Sequence, residues 1–169
     1  YIKSLVQDLG IESLSHKYRS SGENIYGIIP STTGSNETVV VGAHFDSVRG
    51  SPGANDNATG VALAMGVAHA MASAECRKQN VMIVLFDEEE KGLVGSRYFA
   101  KLLKEQNVQV STVHTLDQIG WDADGDRAIE LELPSNGLYS LYKRVAAENG
   151  FDIPIHRTST GSTDHSSFR

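Results

Sequence analysis

The sequence contains very little cysteine and has no surplus of positive charge. Cys76 is the only cysteine among 169 residues, which excludes an internal disulfide and a cysteine-rich zinc or iron-sulfur site. A metal ion would therefore have to bind His, Asp and Glu side chains. The 15 Lys and Arg residues and 21 Asp and Glu residues give a formal net charge of −6, so the chain lacks the basic surface that phosphate backbones need. Nucleic-acid binding is not expected.

Long apolar runs are absent as well. No stretch approaches the roughly 18 apolar residues that a transmembrane helix needs, and the first residues, Tyr1-Ile2-Lys3, do not have the layout of a signal peptide. Hydrophobic residues make up 40% of the chain and charged residues 21%, which is typical of a globular protein. We therefore expect residues 1–169 to form a single domain without a membrane span.

The hydrophobic pattern alternates between helices and strands. Apolar residues at helical spacing predict a helix over 1–9, and two extended segments, 12–19 and 24–29, predict an antiparallel hairpin. Further strands are predicted at 39–41, 81–86, up to 116, 128–133 and 153–155, and further helices at 57–74, 92–106 and 137–149. Continuous apolar strands are typical of a sheet that is covered on both faces. The pattern predicts a three-layer α/β domain with a mostly parallel central sheet and an antiparallel N-terminal hairpin.

In such a sheet, functional residues are expected beyond the carboxyl ends of the strands. His44 and Asp46 follow the strand at 39–41 with a spacing that points both side chains to one side, so Asp46 would orient the His44 imidazole as carboxylates do for metal-binding histidines. Asp56 lies directly before the apolar helix, where it fits a helix N-cap as well as a metal ligand.

Further acidic and imidazole groups follow the later strands. Four consecutive carboxylates, residues 87–90, end the most hydrophobic strand and would repel one another without cations, although a solvated surface segment is the alternative. Asp117 follows another strand, and His165 lies near the end of the chain, where a lone histidine is usually an ordinary surface residue. Together, these positions describe an oxygen-rich, imidazole-containing site suited to zinc.

Five motifs in this chain resemble those of the M28 zinc aminopeptidases, and the resemblance spans roughly residues 21–168. The motifs are Gly42-Ala-His-Phe-Asp46, Gly53-Ala-Asn-Asp-Asn-Ala-Thr-Gly60, Glu89-Glu-Lys-Gly-Leu-Val-Gly-Ser96, Asp117 and Ser162-Thr-Asp-His-Ser-Ser-Phe168. The resemblance implies that His44 and Asp117 bind one zinc ion and that Glu90 and His165 bind a second. It also implies that Asp56 bridges the two ions.

The resemblance further implies that Glu89 is the general base of the reaction. Asp46, which the spacing places beside His44, is predicted as a second catalytic residue because it would orient that imidazole. Aligning the acidic pair on Gly92-Leu93 selects Glu89 and Glu90 and leaves Glu88 solvated. A charge count also favours two metals, because three carboxylate ligands and a bridging hydroxide balance two divalent zinc ions. We therefore expect an aminopeptidase that removes N-terminal residues from peptides through a metal-bridging hydroxide, whose proton Glu89 accepts.

Other interpretations of the same residues remain open. A glutaminyl cyclase of similar fold also uses Asp, Glu and His, and a carboxypeptidase-like enzyme would hold a substrate carboxylate with Arg157 or Arg49. A non-catalytic interaction domain would have kept the fold and lost the metals. Relative to the family, the chain looks truncated at both ends. Family members are often exported, so a secreted or periplasmic location is expected, and no oligomeric state is assigned.

Overall fold

A five-stranded mixed sheet forms the centre of the larger part of the chain. The computed structural model describes all residues, 1–169. The strands of this sheet are β1 (Leu14–Lys17), β2 (Glu23–Ile29), β3 (Glu37–His44), β4 (Asn80–Phe86) and β5 (Gln109–Thr115). Their spatial order is β1-β2-β4-β3-β5, with β3 parallel to both β4 and β5 and antiparallel pairing between β1 and β2 and between β2 and β4. The predicted parallel sheet with an antiparallel N-terminal hairpin is confirmed.

Helices cover both faces of this sheet and produce the three predicted layers. The helices are α1 (Ile2–Gln7), α2 (Ala58–Ser73) and α3 (Val94–Glu105). Successive side chains of β4 point to opposite faces: Val81, Ile83 and Leu85 pack with α1 and α2. Met82, Val84 and Phe86 pack on the other face against α3. Because both faces are buried, β4 has the continuous apolar sequence that predicted it.

Residues 121–162 form a second compact unit, and residues 1–120 with 163–169 form the first. The second unit contains β6 (Ile129–Glu132), α4 (Asn136–Glu148) and β7 (Ile155–Thr158), with β6 and β7 paired in parallel as a sheet of their own. The strand predicted at 153–155 is observed at Ile155–Thr158, further along the chain. Pro154 lacks the N–H that a strand ladder requires, and only its carbonyl takes part, accepting a hydrogen bond from the Ile129 N–H at 2.8 Å. The single domain predicted over 1–169 stays a prediction.

The end of the chain forms an element that the hydrophobic pattern did not predict. Residues Asp164–Phe168 form a 3₁₀ helix in the first unit, which packs against α3, β5 and β3. Phe168 joins the apolar cluster beneath α3. This packing holds the segment around His165 against the central sheet. None of the helices combines the length and apolar composition that crossing a membrane requires.

Candidate metal centre

Three segments that carry candidate ligands leave the same edge of the central sheet. His44 is the last residue of β3, the acidic loop (residues 87–93) follows β4, and Asp117 lies two residues after β5. Because β3, β4 and β5 are parallel neighbours, their carboxyl ends meet at this edge. The topology therefore brings together residues that are more than 70 positions apart in the sequence.

His44 lies at the centre of the group and is almost completely buried, with 1% of its surface exposed. Its Nε2 atom lies 3.2 Å from Asp56 Oδ1 and 3.4 Å from Asp117 Oδ1. Although they are close, His44 Nε2 and Asp117 Oδ1 are buried without a partner in hydrogen-bond geometry. Burial opposes a charged imidazole, but the carboxylates of Asp117 and Asp46 outweigh it and raise the pKa of His44 to about 11.

Asp46 connects His44 with the acidic loop. Its backbone oxygen lies 3.1 Å from His44 Nδ1, and its carboxylate oxygen Oδ1 lies 3.5 Å from the same atom. The carboxylate also accepts hydrogen bonds from the backbone amides of Glu89 (3.0 Å) and Glu90 (3.2 Å). Burial opposes ionisation, yet these contacts lower the pKa of Asp46 below its usual range. Asp46 therefore orients the imidazole and also positions the loop that follows β4. The spacing of Asp46 from His44 predicted only the first of these two roles.

Glu89 and Glu90 of the acidic loop occupy different surroundings. Ligand atoms of Glu89, His44 and Asp117 lie within 4.8 Å of one another. Burial raises the pKa of the Glu89 carboxyl to about 7. Glu90 Oε1 accepts a hydrogen bond from the Val48 amide at 3.2 Å, and its pKa is raised first by burial and then by the negative charge of Asp56. Glu89 thus faces His44 and Asp117, and Glu90 lies toward Asp56. The division between base and ligand stays a prediction.

Asp56 is not the N-cap of α2. That role belongs to Asn57, whose side chain accepts a hydrogen bond from the Gly60 amide at 3.0 Å and donates to the Leu116 carbonyl at 2.8 Å. The Asp56 side chain is 40% exposed and faces His44, and its Oδ2 accepts a hydrogen bond from Gln118 Nε2 at 3.2 Å. Gln118, which sequence analysis did not select, therefore holds one oxygen of Asp56 while the other points to the imidazole.

His165 and Asp164 lie side by side on the 3₁₀ helix. His165 is half-buried, its Nε2 lies 3.5 Å from Ser166 Oγ, and burial lowers the pKa of its imidazole, which favours the neutral form that binds metals. Asp164 is 1% exposed, and its Oδ1 has no hydrogen-bond partner. Asp164 was not among the predicted site residues, because an acid beside a histidine gives no sign of burial. The role of His165 as a zinc ligand stays a prediction.

The expectation that Glu88 is solvated is wrong. Glu88 is only 5% exposed and lies 2.9 Å from Lys91 Nζ. The backbone of Glu88 adopts a positive φ of 57°. Its pKa is lowered first by the hydrogen bond from Lys91. Glu88 is therefore a buried residue of the acidic loop that pairs with Lys91.

The donor set fits zinc. Imidazole nitrogen and carboxylate oxygen are ordinary zinc ligands, and the pair of unpartnered buried atoms, His44 Nε2 and Asp117 Oδ1, would be costly if nothing were bound between them. Acidic groups also surround the imidazole. The carboxylates that interact with one another and with His44 are those of Asp46, Asp56, Glu89, Glu90, Asp117 and Asp164. A divalent cation would relieve the repulsion among them.

Comparison with known proteins identifies the family of the chain. Residues 24–169 match peptidase family M28. The chain belongs to this family. We refer to the protein as the M28 chain. Aminopeptidase YwaD of Bacillus subtilis (strain 168) is 33% identical to it over 153 residues, and the match covers 88% of the M28 chain and 33% of the relative. The M28 chain thus spans about a third of the length of that curated relative.

Solved structures show the same fold. BSAP, a zinc aminopeptidase from Bacillus subtilis, matches the M28 chain with a TM-score of 0.78 and 29% identity, covering 86% of this chain and 37% of that one. LapB from Legionella pneumophila matches with a TM-score of 0.84 and 26% identity, over 99% of this chain and 48% of that one. A glutaminyl cyclase from Porphyromonas gingivalis has a TM-score of 0.79 over 99% of this chain and 67% of that one, but at 17% identity the likeness shows a shared fold alone.

Proposed function

We propose that the M28 chain is a zinc-dependent aminopeptidase that hydrolyses the N-terminal residues of peptides. The observation that carries this proposal is the buried, unpartnered pair of His44 Nε2 and Asp117 Oδ1, which Asp56 and Glu89 surround at the carboxyl edge of the sheet. A cation bound between these two atoms would satisfy both of them, and the number of carboxylates around the pair supports two divalent ions rather than one. Membership of a peptidase family and the aminopeptidase names of relatives support the same chemistry.

Two zinc ions would be held by five side chains. His44 and Asp117 would hold one ion, Glu90 and His165 the other, and Asp56 would contact both. When bound, the ions would acidify a water molecule and polarise the scissile carbonyl group. Asp46 would keep the His44 ring in place through Nδ1, as a carboxylate commonly does behind a metal-binding histidine.

Glu89 would move the proton. Its carboxylate lies beside the side chains of His44 and Asp117 in the group of candidate ligand atoms, and its backbone amide donates to the Asp46 carboxylate, which supports this role. In that position it would accept a proton from the attacking water and deliver it to the departing amine. This assignment gives adjacent residues, Glu89 and Glu90, separate tasks.

The charge around the site favours recognition of the amino end of a substrate. The partly exposed Asp56 and the neighbouring Glu90 provide carboxylate surface for an α-ammonium group. Arg157, one of the two arginines that with Arg49 could hold a substrate carboxylate in a carboxypeptidase, already donates to Asn136 Oδ1 at 2.8 Å and to the Pro134 carbonyl at 3.3 Å. We therefore propose exopeptidase action from the amino end.

The test compares one peptide with a free and with an acetylated N-terminus, using protein loaded with zinc. The free peptide is expected to lose its first residue, and the acetylated peptide is expected to remain intact because it lacks the ammonium group. Equal cleavage of both peptides would contradict the aminopeptidase assignment and indicate an endopeptidase. In parallel, elemental analysis after reconstitution should approach two zinc ions per chain, and a ratio that never exceeds one would contradict the two-metal arrangement.

A further inference from the structure

The acidic loop is held from behind by the hairpin of β1 and β2. Asn24 in β2 is completely buried, and its side chain joins the two ends of the loop. Its Nδ2 donates to the Gly95 carbonyl at 2.9 Å, and its Oδ1 accepts from the Asp87 amide at 3.0 Å. A third contact places Nδ2 3.3 Å from His16 Nδ1 in β1. One amide group therefore connects the end of β4, the start of α3 and the hairpin.

Tyr18, which follows β1, supports the same loop. Its hydroxyl group lies 3.3 Å from the Asp87 carbonyl oxygen and 3.4 Å from Glu88 Oε2, and its ring stacks on Tyr98 of α3 with centroids 4.9 Å apart. These hydroxyl contacts are longer than the usual 2.7–2.8 Å or so for an O–H···O bond, so each is weaker than the bonds of Asn24. Tyr18 thus makes weaker hydrogen bonds to the loop than Asn24 does.

The first residue of the loop is packed closely against the start of α3. A Cβ atom on Gly95 would lie 2.1 Å from the Asp87 carbonyl oxygen and 2.5 Å from Asn24 Oδ1, so the start of α3, the loop and Asn24 are in direct contact. The Asp87 carboxylate is fixed as well, since Oδ2 accepts from the Glu23 amide at 3.1 Å. On the inner side, Asp46 holds the Glu89 amide. Glu89 is therefore held between two sets of contacts, only one of which reaches the metal centre.

We propose that Asn24 is a positioning residue for Glu89. It acts through the backbone of the acidic loop and touches neither the ligands nor the substrate. The proposal rests on the function proposed above, because it assumes that Glu89 is the base. Small displacements of a catalytic group are costly, since a misplacement of about 1 Å can lower a rate by about 100-fold.

The test uses Asn24→Asp, with Asn80→Asp as the matched control. Aspartate keeps the shape and the acceptor for the Asp87 amide but replaces the donor to Gly95 with an oxygen, which repels that carbonyl. Asn80 makes an equivalent two-sided bridge at the opposite end of β4, accepting from the Ser31 amide at 2.9 Å and donating to the Ser35 carbonyl at 3.2 Å. Both variants lose one donor and gain one charge, but only Asn24 contacts the acidic loop.

Two quantities are measured at saturating zinc and at a temperature where both variants are folded. Asn24→Asp is expected to lower kcat by about 10- to 100-fold and to change KM by a smaller factor, because Glu89 acts in the chemical step and only Glu90 of this loop is proposed to contact the substrate's amino end. Its amides in residues 87–93 should exchange with deuterium faster than in the wild type. Asn80→Asp should leave kcat and this exchange unchanged.

Equal kcat values for the two variants would overturn the proposal, and so would unchanged amide exchange in Asn24→Asp. If Asn24→Asp does not fold, Asn24→Ser replaces it, with Asn80→Ser as its control. Asn24→Ser adds no charge and removes the donor to Gly95, so it should lower kcat by about two- to tenfold, the range expected for one lost hydrogen bond, and equal kcat values for this pair would also overturn the proposal. Absence of peptide cleavage by the wild type would contradict the proposed function alone, because the exchange comparison needs no turnover and still decides whether Asn24 holds the loop.

Discussion

The three consecutive glutamates of the acidic loop should respond differently to the same substitution. Replacing each with glutamine changes the side-chain volume very little and removes the charge. Glu89 lies with His44 and Asp117, Glu90 lies beside Val48 and Asp56, and Glu88 is buried against Lys91. The three variants therefore test proton transfer, metal binding and loop packing separately.

The expected magnitudes follow from these positions. Glu89→Gln removes the base and should lower kcat by about 10²- to 10⁴-fold, which corresponds to roughly 2.7–5.4 kcal/mol of activation free energy, with zinc retained. Glu90→Gln removes an anionic ligand, so its first effect should be a lower zinc content. Glu88→Gln should keep zinc and most of the turnover, and it should cost only about 1 kcal/mol or less of folding stability, because its partner Lys91 is largely exposed.

The assay measures zinc per chain and kcat for each variant, with Glu105→Gln on the exposed surface of α3 as the control. The reasoning would be refuted if Glu88→Gln were the variant that keeps zinc and loses turnover, since that would shift both roles by one residue. Loss of zinc from Glu89→Gln would equally show that Glu89, which faces His44 and Asp117 in the structure, is a ligand.

Three further substitutions test other contacts. Asp46→Asn weakens the contacts behind His44 and the acidic loop, so a zinc titration should show about 10- to 100-fold weaker binding; unchanged affinity would contradict its orienting role. Ser96→Ala removes the 2.8 Å hydrogen bond to the 3₁₀ helix at Ser167 and should lower Tm by about 2–4 °C, whereas Ser140→Ala in α4 should not. Urea unfolding should show that Phe99→Ala costs about 3–5 kcal/mol because it leaves a cavity, while Phe151→Ala, at a site 60% exposed, has little effect.

The elements of the central sheet could be predicted because their patterns are local. β4 has six consecutive apolar residues, and the structure buries all of them between α2 and α3. The hairpin of β1 and β2 is marked by the turn residues Ser20-Ser21-Gly22. Boundaries were less accurate where a single residue decides the hydrogen bonding, as Pro154 does before β7. The 3₁₀ helix at Asp164–Phe168 has no periodic pattern because it is held by packing on α3 and β5.

His44, the acidic residues 87–90 and Asp117 could be selected from the sequence because each of them lies at or just after the end of a strand. Asp56 and His165 were selected from their motifs, and the hairpin residues that hold the acidic loop in place could not be selected at all. Asn24 and Tyr18 lie in an N-terminal hairpin about 70 positions from the acidic loop, and nothing in their local sequence indicates the contacts they make with Asp87 and Glu88. The burial of Glu88 follows from the same tertiary contact, since an acidic run is solvated unless another segment covers it. Ligand-type residues at the ends of strands can thus be predicted from their order in the sequence. The exact position of Glu89, by contrast, depends on the antiparallel pairing that brings β2 beside β4. For this reason, a substitution in the hairpin is expected to change turnover without changing any ligand.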